Sequence, residues 1–379
     1  MRAEQEPTGR RTSGGRIGGI AAVAALAGLA WVARDVPAAL GGRLTGARAE
    51  RVTRSPQFRD GTFHNRASTR TMVADPGRNL LRELIFGKQK RRPSAAVPLV
   101  RPGDTTIGTS HDLSVVWFGH ASALIEVEGR RVLVDPVWSQ RCSPSALVGP
   151  KRLHEPPVTL AELPTVDAIL ISHDHYDHLD MATVRELVAR QRAPFVVPLG
   201  VGAHLDRWGV PADRIVELDW SQTHDLGGLA LTATAAQHFS GRGLRRDGTL
   251  WSSWVVAGAH RRVFYTGDSG YFDGYAEIGE QHGPFDVTLM QIGAYDRAWP
   301  TIHMFPEEAV AAHLDLRGGL LIPVHWATFN LALHDWSEPV NRLWAEAKAR
   351  DVRLAVPRPG ERVVVDDPVP VDGWWQAVA

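Results

Sequence analysis

Ser172-His173-Asp174-His175-Tyr176-Asp177-His178-Leu179 follows directly on the apolar run Ala168-Ile169-Leu170-Ile171. The run reads as a buried strand, and the polar stretch after it as a tight loop at the strand's end. Three histidines and two aspartates within positions 173–178 are hard to place as packing, because buried imidazoles and carboxylates need partners. From such a loop His173 and His175 can reach one ion, and Asp177 with His178 a second. Nitrogen and oxygen donors at this density suit zinc, with iron or manganese as the other candidates. Just beyond, Asp180 reads as the cap of a helix whose apolar residues Met181, Val184, Leu187 and Val188 share one face.

Two ions need more ligands than one loop supplies. His238 follows the run 231–236, Asp268 follows Val263-Phe264-Tyr265-Thr266-Gly267, and His325 follows Leu321-Ile322-Pro323-Val324. Each therefore sits where a strand delivers it to a sheet edge, and Gly267 permits close backbone approach beside Asp268. His120 and Asp135 fit better as residues that orient ligands by hydrogen bonds than as ligands themselves. The single cysteine, Cys142, reads as buried and inert, and it excludes a disulfide framework or a cysteine zinc cluster. Trp251, Trp254, Trp299 and Trp326 read as core in preference to an acyl-chain groove. Short apolar runs alternate with helical patterns from residue 113 onward, which predicts an α/β body with many strands.

The HxHxDH loop with the later His238, Asp268 and His325 resembles the metallo-β-lactamase superfamily. Within it the chain is similar to the N-acylphosphatidylethanolamine-hydrolysing phospholipase D branch, through Trp117-Phe118-Gly119-His120-Ala121, Arg141-Cys142-Ser143-Pro144, Gly149-Pro150-Lys151-Arg152, Gly267-Asp268-Ser269-Gly270-Tyr271 and Pro306-Glu307-Glu308-Ala309-Val310. The resemblance implies an αββα sandwich of two packed mixed sheets flanked by helices. It also implies two zinc ions, one held by His173, His175 and His238, the other by Asp177, His178 and His325, with Asp268 bridging. On the same basis Tyr176 and His303 would touch substrate, and Asp177, Asp268 and His303 would be catalytic. A hydroxide between the metals would attack phosphorus, releasing phosphatidic acid and an N-acylethanolamine. The chain departs from the branch at Asp174 (asparagine there), at Phe305 (an acidic residue there) and in the segment after His238, and these departures bear on substrate specificity.

Of the 379 residues, 42 are Lys or Arg and 42 Asp or Glu, but the balance is uneven. Residues 1–110 carry 19 basic against 8 acidic residues, and the remainder 23 against 34. The apolar run 17–33 (IGGIAAVAALAGLAWVA) fits either a cleaved export signal or an uncleaved membrane anchor, with the membrane face undetermined. The expected organisation is a signal or anchor over 1–33, a basic and extended arm over 34–110, a catalytic domain over 111–367 and a tail over 368–379. Within the arm, residues 79–86 (NLLRELIF) form a short amphipathic piece that either docks on the body or lies against lipid. The expected partners are a phospholipid and a membrane surface, with a homodimer left open. No basic stripe interleaved with aromatics suggests nucleic acid. Two rivals stand beside the phospholipase reading: a hydrolase of another ester or lactone on the same scaffold, and a membrane-anchored zinc-binding protein without catalysis.

Overall fold

The structure is a computed structural model, and it describes residues 35–73, 75, 77–101 and 112–379. Period-two alternation builds its first sheet. In β3 (Leu113–Gly119), β4 (Ser122–Val127) and β5 (Arg130–Val134), Val115, Trp117, Ile125, Val132 and Val134 point to one face. Val116, Leu124 and Leu133 point to the other. With β6 (Ala168–Leu170), β7 (Phe195–Pro198), β8 (Ile215–Leu218) and β15 (Arg362–Val364) these strands form a seven-stranded sheet in the order β15-β3-β4-β5-β6-β7-β8. The second sheet has the order β14-β13-β12-β11-β10-β9. It is made of β9 (Thr223–Asp225), β10 (Ala230–Thr234), β11 (Ser253–Ala257), β12 (Arg262–Tyr265), β13 (Phe285–Gln291) and β14 (Gly318–Val324).

Both sheets are mixed, and their inner faces share one core with Leu231, Ala233, Leu289 and Ile322 opposite Val115 and Val134. The outer face of the seven-stranded sheet is covered by the helices Met181–Arg190 and Gly202–Trp208, through Val184, Leu187, Leu205 and Trp208. The helix Pro306–Asp315 packs on β13 and β14, and the helix Glu338–Ala349 packs on it in turn. This is the expected αββα sandwich.

Strand direction decides where the site lies. β5 and β6 run parallel, and β3 shares their direction because β4 reverses it twice. In the second sheet β12, β13 and β14 are parallel, and β10 joins them through the antiparallel β11. The residues following β3, β5, β6, β10, β12 and β14 are His120, Asp135, the 172–179 loop, His238, Asp268 and His325. Within each sheet these strands all finish toward the same edge.

Two expectations change. No helix among the described residues is long and apolar enough to cross a membrane. The expectation of a protein that is membrane-associated through its N-terminal apolar segment, or exported, is corrected on that finding, and the run 17–33 that carried it lies outside the described residues. The arm is also not simply extended. The helix Gly46–Thr53 and the hairpin of β1 (Phe58–Arg59) and β2 (Thr62–Phe63) fold against the body, burying Val52 and Phe63 in the main core.

Candidate metal centre

Asp135 is the hub on which the loop is hung. Its carboxylate accepts from the backbone N–H of Ser172 at 2.7 Å, the Ser172 hydroxyl, the Tyr265 hydroxyl and His178 Nδ1 at 2.7 Å. With its own hydrogen given to Asp135, the Ser172 hydroxyl accepts from His173 Nδ1 at 2.9 Å. His238 Nδ1 donates to the carbonyl of Ile302 at 2.8 Å. In each case the proton on Nδ1 leaves Nε2 with a free lone pair, the tautomer a metal ligand needs.

Those lone pairs converge. His173 Nε2 and His238 Nε2 lie 2.8 and 3.2 Å from His175 Nδ1, so three imidazole nitrogens face one point. A second group joins Asp177, His178 and His325, and takes in His120 as well. His325 Nε2 is 3.2 Å from Asp177 Oδ2 and 3.1 Å from Asp268 Oδ2, while His178 Nε2 is 3.1 Å from Asp268 Oδ2. Asp268 lies between the groups, sharing one cluster with His173 and His178 and another with His238 and His303. His178 Nε2 and Asp268 Oδ1 are buried without a hydrogen-bond partner, as ligand atoms aimed at a cation would be. The donor set fits one or more divalent cations.

Backbone strain helps aim these groups. His120, Asp135 and His325 all have positive φ, at 51°, 38° and 63°, which non-glycine residues adopt at a cost. Gly267, at φ 56°, is obligatory for a further reason: a Cβ there would lie 2.5 Å from Ser172 Cβ.

Burial opposes charge on Asp177 and Asp268. The imidazole of His178 next to Asp177, and those of His178, His325 and His303 around Asp268, nevertheless hold both well below the usual carboxylate range. Burial pushes His120 down to about 3 and His303 to about 4. His120 Nε2 lies 3.0 Å from Asp177 Oδ2, the orienting position expected of it. His303 Nε2 is 3.9 Å from Asp268 Oδ2, and its Nδ1 has no partner.

Not every expected residue reaches the site. The Tyr176 hydroxyl donates to the carbonyl of Arg242 at 2.6 Å, and Tyr176 does not line the pocket over the clustered histidines and aspartates. Asp174 is turned away to His204 Nε2 at 3.2 Å and the N–H of Gly241 at 2.7 Å, while Phe305 packs on Tyr295. Trp251, Trp254 and Trp326 are core, whereas Trp299 lines the pocket. Cys142 is buried, and burial pushes its thiol well up.

The structure adds residues that the sequence reading passed over. Buried Arg242 donates to the carbonyls of Asp174 and Leu179 at 2.6 and 2.8 Å, clamping both ends of the loop. Arg246 stands at the pocket with Phe239, Met72 and Leu331. The pair Arg245-Arg246, so soon after His238, was the available signal for it.

The sequence profile of a beta-lactamase superfamily domain matches residues 130–326, which contain the loop, His238, Asp268 and His325. The chain belongs to the metallo-β-lactamase superfamily. One relative of this superfamily member is an uncharacterised protein of Mycobacterium tuberculosis, 52% identical over 364 residues that cover 94% of this chain and 97% of the relative. Another is N-acyl-phosphatidylethanolamine-hydrolyzing phospholipase D 1 of Caenorhabditis elegans, 36% identical over 252 residues, covering 63% of this chain and 71% of the relative. Among solved structures, Igni18, a metallo hydrolase of the archaeon Ignicoccus hospitalis, shares the fold. Its TM-score is 0.51 at 22% identity, covering 66% of this chain and 97% of Igni18.

Proposed function

We propose that this metallo-hydrolase is a zinc-dependent phosphodiesterase of phospholipase D type acting on N-acylphosphatidylethanolamine-like lipids. The observation that carries the reading is the junction of two cavities. A pocket of about 260 Å³ has His175, Asp177, Asp268, His303 and His325 in its wall, together with Arg246, Phe239 and Trp299. A groove of about 420 Å³ lined by Leu80, Leu81, Leu84 and Leu333 adjoins it, and the two share Trp299 and Leu331. A ligand with an anionic centre and an apolar chain fits such a pair of cavities, and a small polar ester would leave the groove unused. The C. elegans relative bears a name for this activity, which supports the same reading.

Divalent cations held by the two ligand groups would supply an activated water and offset charge on the phosphoryl oxygens. The rest falls to the chain's own residues. Asp177, held by His120 Nε2 at 3.0 Å, would orient the attacking water. Arg246 meets the phosphoryl group, and the His303 ring, in the pocket wall beside Asp268, is placed to hydrogen-bond the departing oxygen. Phe239, Trp299 and Leu331 exclude bulk water. The helix Leu80–Phe86 presents Leu81, Leu84, Ile85 and Phe86 to solvent, 51–75% exposed, and these side chains would meet the acyl chains of a phospholipid surface.

The deciding assay is release of N-acylethanolamine from labelled N-acylphosphatidylethanolamine by the zinc-loaded chain. Turnover of lactones or simple esters with no release from the lipid would assign a different hydrolase. Leu84→Asp should lower turnover of the lipid about tenfold or more and leave a short-chain phosphodiester unaffected, since burying a leucine side chain is worth about 1.5–3 kcal/mol.

A further inference from the structure

His238 lies past the end of β10, where no ladder partner remains for its backbone. Asn65, 173 residues earlier in the basic arm, takes the place of one. Its Oδ1 accepts from the N–H of His238 at 3.0 Å, and its Nδ2 donates to the carbonyl of the same residue at 2.7 Å. One side-chain amide thus pairs both backbone groups of one residue, as a neighbouring strand would. The remaining capacity of the amide is also used. Oδ1 accepts from the Trp251 indole at 2.9 Å, and Nδ2 donates to Thr69 Oγ1 at 2.6 Å. The backbone of His238 is set from one side by Asn65, and its ring from the other by the Ile302 carbonyl. Two such constraints fix the direction of Nε2.

We propose that Asn65 is a positioning residue of the metal centre: it holds His238 so that its Nε2 completes the three-nitrogen group with His173 and His175. The arm is thereby part of the metal site. The proposal rests on the metal-centre reading and is independent of which substrate is cleaved.

The test uses the full chain stripped of metal and titrated with zinc against a chromophoric chelator, and with cobalt followed by its d–d absorption. Asn65→Ala removes all four hydrogen bonds. Asn65→Asp keeps the shape and the acceptor but loses both donors, so it carries the test should the alanine variant fail to fold. Arg66→Ala is the control for docking of the arm, because it breaks the adjacent pair with Glu277 (2.7 Å) and touches no ligand. The expected result is a zinc affinity at one site lowered about 10- to 100-fold in both Asn65 variants, with an altered cobalt band, and wild-type behaviour in Arg66→Ala. Unchanged affinity in the Asn65 variants, or an equal loss in Arg66→Ala, would overturn the proposal. A wild-type chain that takes up no zinc would overturn the metal-centre reading with it, whereas failure of the lipid assay alone would leave Asn65 untouched.

Discussion

Single atoms decide most at Asp135. One carboxylate receives four hydrogens, and through Ser172 and His178 it sets the tautomers of two imidazoles. In Asp135→Asn one side of the amide becomes a donor facing donors, and His178 loses the partner that keeps its proton on Nδ1. Metal affinity should fall about 10- to 100-fold, read as early loss of zinc to a chelator. Asp268→Ala should go further: this carboxylate lies between both ligand groups, so metal content and hydrolysis should both be lost. Retained activity in that variant would exclude a shared bridging ligand. The clustered histidines and aspartates were legible as candidate ligands because they lie in one short loop and at strand ends. Tyr176 was legible as a member of the loop but not in its direction, which the Arg242 carbonyl determines. Asn65 was not legible, since an asparagine after a hairpin carries no sign of a partner so far along the chain.

Among the elements, the helix Met181–Arg190 follows its sequence closely. Asp180 caps it by accepting from Ala182 N at 3.1 Å, and Val184 and Leu187 are its buried face. The helix Pro306–Asp315 brings a pH dependence of its own. His313 is buried against Gly318 and bonded to Thr288 Oγ1 at 2.8 Å, and burial pushes its pKa down to about 4. The fold holds this ring neutral while the unfolded chain takes up a proton near pH 6.5. Its contribution is therefore full above about pH 6.5 and is lost as pH falls toward 4, by up to about 3 kcal/mol. Urea unfolding at pH 7 and pH 4.5 should show that loss, and His313→Gln should flatten the difference. Equal pH dependence in the two proteins would refute it. The strands were legible from their apolar runs, but their order and direction were not, because pairing between strands distant in the chain leaves no local trace.

For the molecule as a whole, the uneven charge finds a use in docking. Arg48 of the arm binds Glu217 and Asp206, Arg66 binds Glu277, and Arg78 binds Asp296. The basic arm is thus fastened to the acidic body by ion pairs around the apolar anchors Val52 and Phe63. Glu217 is only 8% exposed, so Arg48→Ala leaves a buried carboxylate without its cation, held by the N–H groups of Gly200 and Gly202. Unfolding stability should drop by about 1–3 kcal/mol, whereas Arg54→Ala, in a pair 70–75% exposed, should change it by less than about 0.5 kcal/mol. Equal effects would mean that the pairs contribute nothing specific to docking. The sequence by itself determined the donor chemistry, the strand-end setting of the ligands and the superfamily, because each of these is written in neighbouring residues. Only the tertiary structure decided that the arm closes on the body, that Asn65 stands in for a strand beside His238, and that pocket and groove meet at Trp299 and Leu331. Those contacts join residues far apart in the chain, and they form only where the packing of the sandwich brings its loops together.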